Sequence, residues 1–126
     1  MKSALLVFLG GGLGSLVRYW VSLLINQQLD SKLNLYGTFT VNMIGSLLIG
    51  LLMGWMLKSE TSYPNLQLLV VVGFCGGFTT FSTFSAENLD LIKNKLYAEF
   101  LWYGLGSLLL GILAVFIGIL IMRIKD

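Results

Sequence analysis

The fold of this chain is decided by the run GFCGGFTTFSTFS, from Gly73 to Ser85. This run lies within an apolar stretch, yet it contains three glycines, three threonines and two serines. These residue types weaken or bend a helix. At membrane depth, irregular backbone persists only where it is buried in protein or lines a wet cavity. The run therefore predicts a membrane helix that is broken around something polar, as at many ion and substrate sites.

The composition is that of a membrane protein. Of the 126 residues, 56% are hydrophobic and 11% are charged, with a mean hydropathy of +0.86, whereas a soluble domain carries about 25% charge. The net charge of +2 is too small to indicate a nucleic-acid partner. The absence of histidine argues against a zinc site and against histidine catalysis, and we expect no enzyme activity. The single cysteine, Cys75, excludes an intrachain disulfide and is expected to be a small packing residue.

Four stretches are long and apolar enough to cross a bilayer as helices, which takes about 20 residues each. They cover residues 4–25, 36–57, 66–86 and 100–122, with only short polar stretches between them. We therefore predict an all-α integral membrane protein, one domain over residues 1–126, with four transmembrane helices and the third broken mid-membrane. In this interpretation Glu87 follows the Ser/Thr-rich run and lies near the end of the third span, where a structural cap is one role open to it.

The basic residues are divided almost evenly between the two sides of the membrane, so they hardly favour either orientation. With four spans, both termini and the second loop share one side, which carries Lys2, Lys58, Arg123 and Lys125. The other side carries Lys32, Lys93 and Lys95, and Arg18 makes it four against four. Lysine and arginine near the membrane set orientation. The balance fits either a short chain with few charges or a chain that inserts both ways and pairs antiparallel with itself.

Glycines recur at spacings that allow close helix packing. Gly10 and Gly14 form one G-x-x-x-G pair and Gly50 and Gly54 form another. The fourth span carries several more: Gly104, Gly106, Gly111 and Gly118. Small residues let helix backbones approach closely in lipid. Contacts within one subunit would explain them, but we expect at least one glycine face to serve a dimer.

Polar side chains inside the spans are costly in lipid and usually functional. Asn42 shares a helix face with Thr38 and Ser46. Its amide can donate to an anion without carrying charge, and hydrogen bonding between helices is the alternative role. Arg18 in the first span either reaches to the surface or draws anions toward a vestibule.

Two phenylalanines stand among the hydroxyl residues of the third span. Phe81 and Phe84 are three apart, so on a helix they point the same way. The edge of an aromatic ring is positive, so ring edges beside hydroxyl and amide donors suit a small anion, and packing against lipid or core is the alternative. The neighbouring polar candidates are Ser82, Thr83, Ser107 and Tyr103.

The glycine pair Gly76-Gly77 is the expected position of the break. A broken helix frees carbonyls on one side and amides on the other. Carbonyl oxygens suit a small hard cation, and a two-fold axis at this point would bring two sets of them together.

These residues together resemble the Fluc (CrcB) family of bacterial fluoride channels. Residues 73–85 are similar to that family's G-x-C-G-G-x-[ST]-T-F-S-T-F signature. Further similarities are Gly11-Gly12-Leu13-Gly14 with Arg18-Tyr19, Gly37-Thr38 with Val41-Asn42, and Gly106-Ser107. The likeness covers essentially the whole chain. Thr79 stands where some members have serine, and Gly111 replaces a threonine found in some relatives.

The resemblance implies an antiparallel, dual-topology homodimer in the bacterial inner (plasma) membrane, with two separate pathways for fluoride. It implies that Asn42 lines the pore and that Phe81 and Phe84 are ring-edge ligands. Ser82, Thr83 and Ser107 would line a polar track with Tyr103 beside it. Backbone carbonyls of Gly76 and Thr79 from both subunits would hold a central sodium ion, which is structural and not transported. The implied function is passive export of fluoride down its electrochemical gradient.

Two other functions compete with a fluoride channel. A small dual-topology, proton-coupled multidrug exporter also has four spans, but it needs a titratable carboxylate deep in the membrane, and the first span has none. A membrane subunit that only binds a partner protein would use its polar residues as helix contacts, which explains the run from Gly73 to Ser85 poorly.

Overall fold

The computed structural model describes residues 1–29, 35–59 and 63–124. Within these ranges every element is helical. The elements are α1 (Lys2–Gln28), α2 (Leu35–Lys58), α3 (Pro64–Leu66), the π-helix π1 (Gln67–Cys75), α4 (Gly76–Phe78), α5 (Phe81–Lys93) and α6 (Tyr97–Ile124). Elements α3 to α5 follow one another as a single third span. The described residues therefore form four helices that are long and apolar enough to cross a membrane, which confirms the all-α, four-span prediction.

The third span extends beyond the predicted end at Ala86. Helix α5 continues to Lys93, so the expected loop from Glu87 onward is mostly helical. The reason is that α5 is amphipathic. It buries Asn88 and Leu91 and leaves Asp90 exposed, and a test based on apolar content alone ends such a helix too early.

A tight reversal joins α5 to α6. Lys95 adopts a left-handed conformation with φ of 59°. Its N–H donates to the Ile92 carbonyl at 3.0 Å, and the N–H of Leu96 donates to the Leu91 carbonyl at 2.9 Å. This pair of bonds is the Schellman arrangement that ends many helices. This motif reverses the direction of the chain within a few residues, so α6 runs antiparallel to α5.

The third span is interrupted at Thr79 and Thr80, not at the glycine pair. Both threonines are extended, with φ/ψ of −87°/159° and −149°/120°, whereas Gly76 is helical at −63°/−36°. The expected break at Gly76-Gly77 is therefore wrong by a few residues. Gly77 serves close packing instead, since a Cβ there would overlap the backbone of Gly11.

The two G-x-x-x-G pairs serve contacts inside the chain. A Cβ on Gly10 or Gly14 would collide with the backbone of π1 and α4, and one on Gly50 would collide with Val115 of α6. Helices α2 and α6 thus pack closely and parallel, and α1 packs on the first half of the third span. The expected dimer face does not come from these pairs. Gly12 and Gly76, by contrast, have no atom within 4 Å of where a Cβ would lie.

The topology separates the basic residues between the two ends of the bundle. Lys2, Lys58 and Arg123 lie at the end where α1 begins and where α2 and α6 finish, while Lys93 and Lys95 lie at the opposite end. Lys32 and Lys125, which complete the predicted four-to-four balance, lie outside the described residues.

Candidate functional site

Two grooves meet at the interruption of the third span. One, the aromatic groove, has a volume of about 400 Å³ and is lined by Asn42, Met43, Ser46, Ile49, Thr79, Thr80, Phe81, Phe84, Ser107, Leu108, Gly111, Ile112 and Val115. The other, the polar groove, has a volume of about 550 Å³ and is lined by Arg18, Tyr19, Ser22, Leu23, Asn26, Gln27, Thr38, Thr80, Thr83 and Glu87. Thr80 lines both grooves, so the interrupted backbone forms the boundary between them.

The amide of Asn42 holds the interrupted backbone on both of its polar groups. Its Nδ2 donates to the carbonyl of Thr80 at 3.1 Å, and its Oδ1 accepts from the N–H of the same residue at 2.8 Å. A side-chain amide is the one group that can mimic a backbone peptide in this way. The amide retains one N–H beyond this pair. Asn42 therefore braces the break and still has a donor at the edge of the aromatic groove.

The hydroxyl of Thr80 starts helix α5. Its Oγ1 accepts from the N–H of Thr83 at 3.2 Å, which is an N-cap bond. The same oxygen donates to the Thr83 hydroxyl at 3.0 Å and lies 3.3 Å from the Ser82 hydroxyl. The first turn of α5 thus gathers three hydroxyls beside helix N–H groups, an arrangement that favours negative charge.

Aromatic rings and one unpaired hydroxyl line the groove beyond the break. The rings of Phe81 and Phe84 lie 5.8 Å apart, and Phe84 lies 5.1 Å from the ring of Tyr103. Phe81 is 79% exposed, whereas Tyr103, on the other side of Phe84, is fully buried. The hydroxyl of Ser107 is buried and finds no partner among the described residues. A polar atom left in this way is expected to have a partner that is not part of the described chain.

Arg18 is half-buried and binds the backbone of α4. Its Nε donates to the carbonyl of Gly77 at 3.0 Å, and the hydroxyl of Ser15 lies 3.4 Å from the same oxygen. A cation at the C-terminal end of a helix complements the helix dipole. Arg18 therefore combines a structural bond with a guanidinium that faces the polar groove.

Glu87 lies inside the third span and is held by two hydroxyls. The Thr38 hydroxyl donates to Oε1 at 2.7 Å, and the Tyr103 hydroxyl donates to Oε2 at 2.6 Å. Three helices thus converge on one carboxylate in the wall of the polar groove. The apolar pattern alone predicts Glu87 at the end of a span, where a cap is a common role. The signal that would have found it is a carboxylate two residues after the run from Gly73 to Ser85, on a helix that continues to Lys93.

The structure groups most of the predicted site residues around Thr80. Asn42, Phe81, Phe84 and Ser107 line the aromatic groove, whereas Arg18 and Thr83 line the polar groove. Two predicted residues line neither groove. Tyr103 is buried behind Phe84 and bound to Glu87, and Ser82 is exposed beside the Thr80 hydroxyl. Thr80 itself, which joins the grooves, was missing from the predicted set.

The predicted sodium ligands lie at either end of the short helix α4, which begins at Gly76 and is followed by Thr79. Gly76 is exposed and Thr79 is half-buried. Neither carbonyl oxygen accepts a hydrogen bond from a described residue outside its own helix. No cluster of acidic, cysteine or histidine ligands occurs within the described ranges. Carbonyl oxygens are the hard donors that a small alkali cation prefers, so these two residues fit the predicted ion.

Comparison with known proteins relates this chain to one family. The family model described as "CrcB-like protein, Camphor Resistance (CrcB)" matches residues 5–119. A protein of Phocaeicola vulgatus named "Fluoride-specific ion channel FluC" is 48% identical over 120 residues, covering 94% of this chain and 97% of that protein. Proteins with the same name from Gloeothece citriformis and Bacteroides fragilis are 47% and 45% identical, covering 98% and 94% of this chain and the same shares of their own.

Proposed function

This chain belongs to the CrcB family, and from that membership we propose that it is a fluoride-specific ion channel. It is a multi-pass bacterial membrane protein and not an enzyme. The observation that carries this function is identity of 45–48% with fluoride channels over nearly the full chain. The aromatic groove supports it independently, because its ring edges, amide and hydroxyl supply positive electrostatic potential without a formal charge.

The anion route follows from the two grooves. The polar groove, which is the larger and carries the Arg18 guanidinium, is the entrance. An anion then passes the hydroxyls and free N–H groups at the start of α5, beside Thr80. It continues into the aromatic groove, where Asn42 and Ser107 donate and the edges of Phe81 and Phe84 face it. Neutral donors allow the ion to leave again, since conduction requires binding that is favourable but weak.

Glu87 contributes to this route despite its charge. Two hydroxyl donors share its carboxylate, which spreads the negative charge and orients both Thr38 and Tyr103. Hydrogen bonds to a charged acceptor are stronger than neutral ones. The carboxylate therefore fixes the wall of the entrance, and Arg18 on the opposite wall offsets its repulsion of an incoming anion.

We further propose that the channel is an antiparallel homodimer of dual topology, with the interruption at mid-membrane. The aromatic groove is open on one side, and the largely exposed ring of Phe81 stands at its margin. The same groove holds the buried hydroxyl of Ser107, which has no partner among the described residues, and an unsatisfied polar group is costly at membrane depth. A second copy related by a two-fold axis would close each groove into a conduit and yield two pathways.

The same axis accounts for the two free carbonyls. The backbone carbonyls of Gly76 and Thr79 from both subunits would together hold a structural sodium ion. Its positive charge would balance the partial negative charges of these four carbonyl oxygens where the two subunits meet. The open side of Gly76, with no atom near the position of a Cβ, gives the second subunit room to approach. This ion is structural and is not transported.

The physiological role that follows is passive export across the inner (plasma) membrane. In acid surroundings fluoride enters a cell as the neutral acid and ionises inside, where it is trapped. A channel that passes the anion lets it leave down its electrochemical gradient and so lowers its toxicity.

Reconstitution in liposomes tests this function. Vesicles loaded with fluoride or with chloride are diluted into ion-free medium, and efflux is followed with an ion-selective electrode. We expect rapid fluoride loss without any imposed proton gradient and no comparable chloride loss. Efflux that depends on a proton gradient would instead identify a proton-coupled exporter, and absence of efflux would leave a membrane subunit without transport activity.

A further inference from the structure

A third cavity lies away from both grooves, between α2, π1 and α6. It has a volume of about 340 Å³ and is lined by Leu48, Leu51, Leu52, Trp55, Val70, Phe74, Cys75 and Met122. The described residues expose no polar atom to it. This apolar crevice has the size of a small ligand site, but it offers nothing to an ion.

The shape of the crevice matches a hydrocarbon chain. From Leu48 to Trp55 it follows α2 over seven residues, which is about 10 Å at about 1.5 Å per residue. Trp55 stacks on Tyr63 with ring centroids 5.1 Å apart. Tryptophan and tyrosine concentrate where a membrane meets water. The crevice therefore runs from the polar boundary of the membrane into its apolar interior.

Two basic side chains stand above the boundary end of the crevice. Lys58 follows Trp55 by three residues, and Arg123 directly follows Met122; both are exposed. They lie at the same end of the bundle because α2 and α6 run parallel, with Gly54 packed against Met122. Among the residues that the structure describes, this end carries Lys2, Lys58 and Arg123 and no carboxylate side chain. Positive charge at this level attracts anionic lipid.

We propose that this crevice is a binding site for an anionic phospholipid, with one acyl chain along α2 and the phosphate beside Lys58 and Arg123. The apolar lining of the crevice favours binding of the acyl chain, and the two basic side chains favour a negatively charged headgroup. A zwitterionic phospholipid would fill the same crevice but would gain less from the cations. This site is separate from ion conduction, and its existence does not depend on the proposed channel function.

Quenching of tryptophan fluorescence by brominated lipids tests the site directly. The chain has three tryptophans, so the double substitution Trp20→Phe with Trp102→Phe leaves Trp55 as the reporter inside the crevice. The protein is reconstituted in phosphatidylcholine with increasing fractions of either phosphatidylglycerol or phosphatidylcholine brominated on the acyl chain. We expect half-maximal quenching at a fraction of brominated phosphatidylglycerol at least fivefold lower than for brominated phosphatidylcholine. Lys58→Gln with Arg123→Gln should remove that difference.

A matched reporter separates this crevice from general attraction to basic protein ends. The substitutions Trp20→Phe and Trp55→Phe leave Trp102, which lies at the opposite end, where Lys93 and Lys95 supply charge but the crevice is absent. We expect this reporter to distinguish the two lipids by less than twofold. Symmetric vesicles present the same lipids to either orientation of the chain.

Two outcomes would overturn the proposal. If quenching at Trp55 and at Trp102 showed the same preference for the anionic lipid, the basic residues alone would account for that preference, without a contribution from the crevice. Failure of both brominated lipids to quench Trp55 would show that protein covers the crevice, with a second copy of this chain as its occupant. Val70→Phe, which fills the crevice from π1, should weaken quenching of Trp55 by either lipid, and unchanged quenching in that variant would place the lipid elsewhere.

Discussion

Replacement of Asn42 by aspartate separates bracing of the backbone from contact with the anion. The side chain of Asn42 bonds both the carbonyl and the N–H of Thr80. Asn42→Asp keeps an acceptor for that N–H but loses the donor to the carbonyl, and it adds a negative charge. Asn42→Ala loses both bonds and adds no charge. The two variants should therefore rank in opposite order for stability and for flux.

The magnitudes follow from the geometry. Each neutral hydrogen bond contributes about 1 kcal/mol net, so Asn42→Ala should lower the free energy of unfolding by about 2 kcal/mol and Asn42→Asp by about half as much. Two anions about 5 Å apart in a medium of effective dielectric about 20 repel by about 3 kcal/mol. That energy lowers fluoride occupancy by about a hundredfold. Asn42→Asp should therefore be the more stable variant and the poorer conductor.

The assay combines thermal unfolding in detergent with fluoride efflux from liposomes at equal protein density. Serine at position 42 is a useful third variant, because its hydroxyl can reach at most one of the two groups on Thr80. Flux in Asn42→Asp equal to or above that in Asn42→Ala would refute the contact with the anion. Only the bracing role of Asn42 would then remain.

Other predictions concern single contacts. Phe81→Ile should lower fluoride efflux by at least tenfold, whereas the control Phe8→Ile, at a site that is 74% exposed, should stay within twofold of the parent; equal effects would assign Phe81 to lipid packing. Tyr103→Phe removes the 2.6 Å bond to Glu87 and should cost about 1.5–3 kcal/mol, since the acceptor is charged; an unchanged unfolding temperature would mean that another donor replaces it. Lys95→Gly should stabilise the chain by about 1 kcal/mol, because glycine adopts the left-handed conformation at φ 59° without strain; a lower unfolding temperature would contradict this.

Sequence reasoning succeeded where residue type restricts the answer strongly. An uninterrupted apolar stretch of about 20 residues has the length of a membrane-spanning helix, in which the segment satisfies its own backbone groups, and the structure has four such helices. The hydroxyl-rich run predicts an interruption of the third span, and the backbone is extended within it at Thr79 and Thr80; the position of this interruption in the membrane stays a prediction. Asn42, Phe81 and Phe84 were singled out by chemistry alone, and the structure brings all three to one groove. Their roles in conduction remain predictions.

The predictions that were wrong depend on tertiary contacts, which the periodicity of residue types along the sequence does not reveal. The break was predicted at Gly76-Gly77 because glycine bends helices, but Gly77 packs on α1, and Asn42 stabilises extended backbone at Thr80. The third span was ended at Ala86 because its later residues are polar. Their buried face lies against α6, which only the folded chain reveals. The glycine pairs likewise gave no sign of which helix they would meet.

The pairing of the Asn42 amide with Thr80 bears on the order of assembly. Because one side chain of the same subunit satisfies both backbone groups, the kink needs no water, ion or neighbouring chain to hold its shape. Each chain can therefore enter the bilayer with this backbone already ordered, and association in the proposed homodimer would not have to order it. In the proposed homodimer, association would then join two finished halves, and its equilibrium should depend on the complementarity of their surfaces and little on whether fluoride is present.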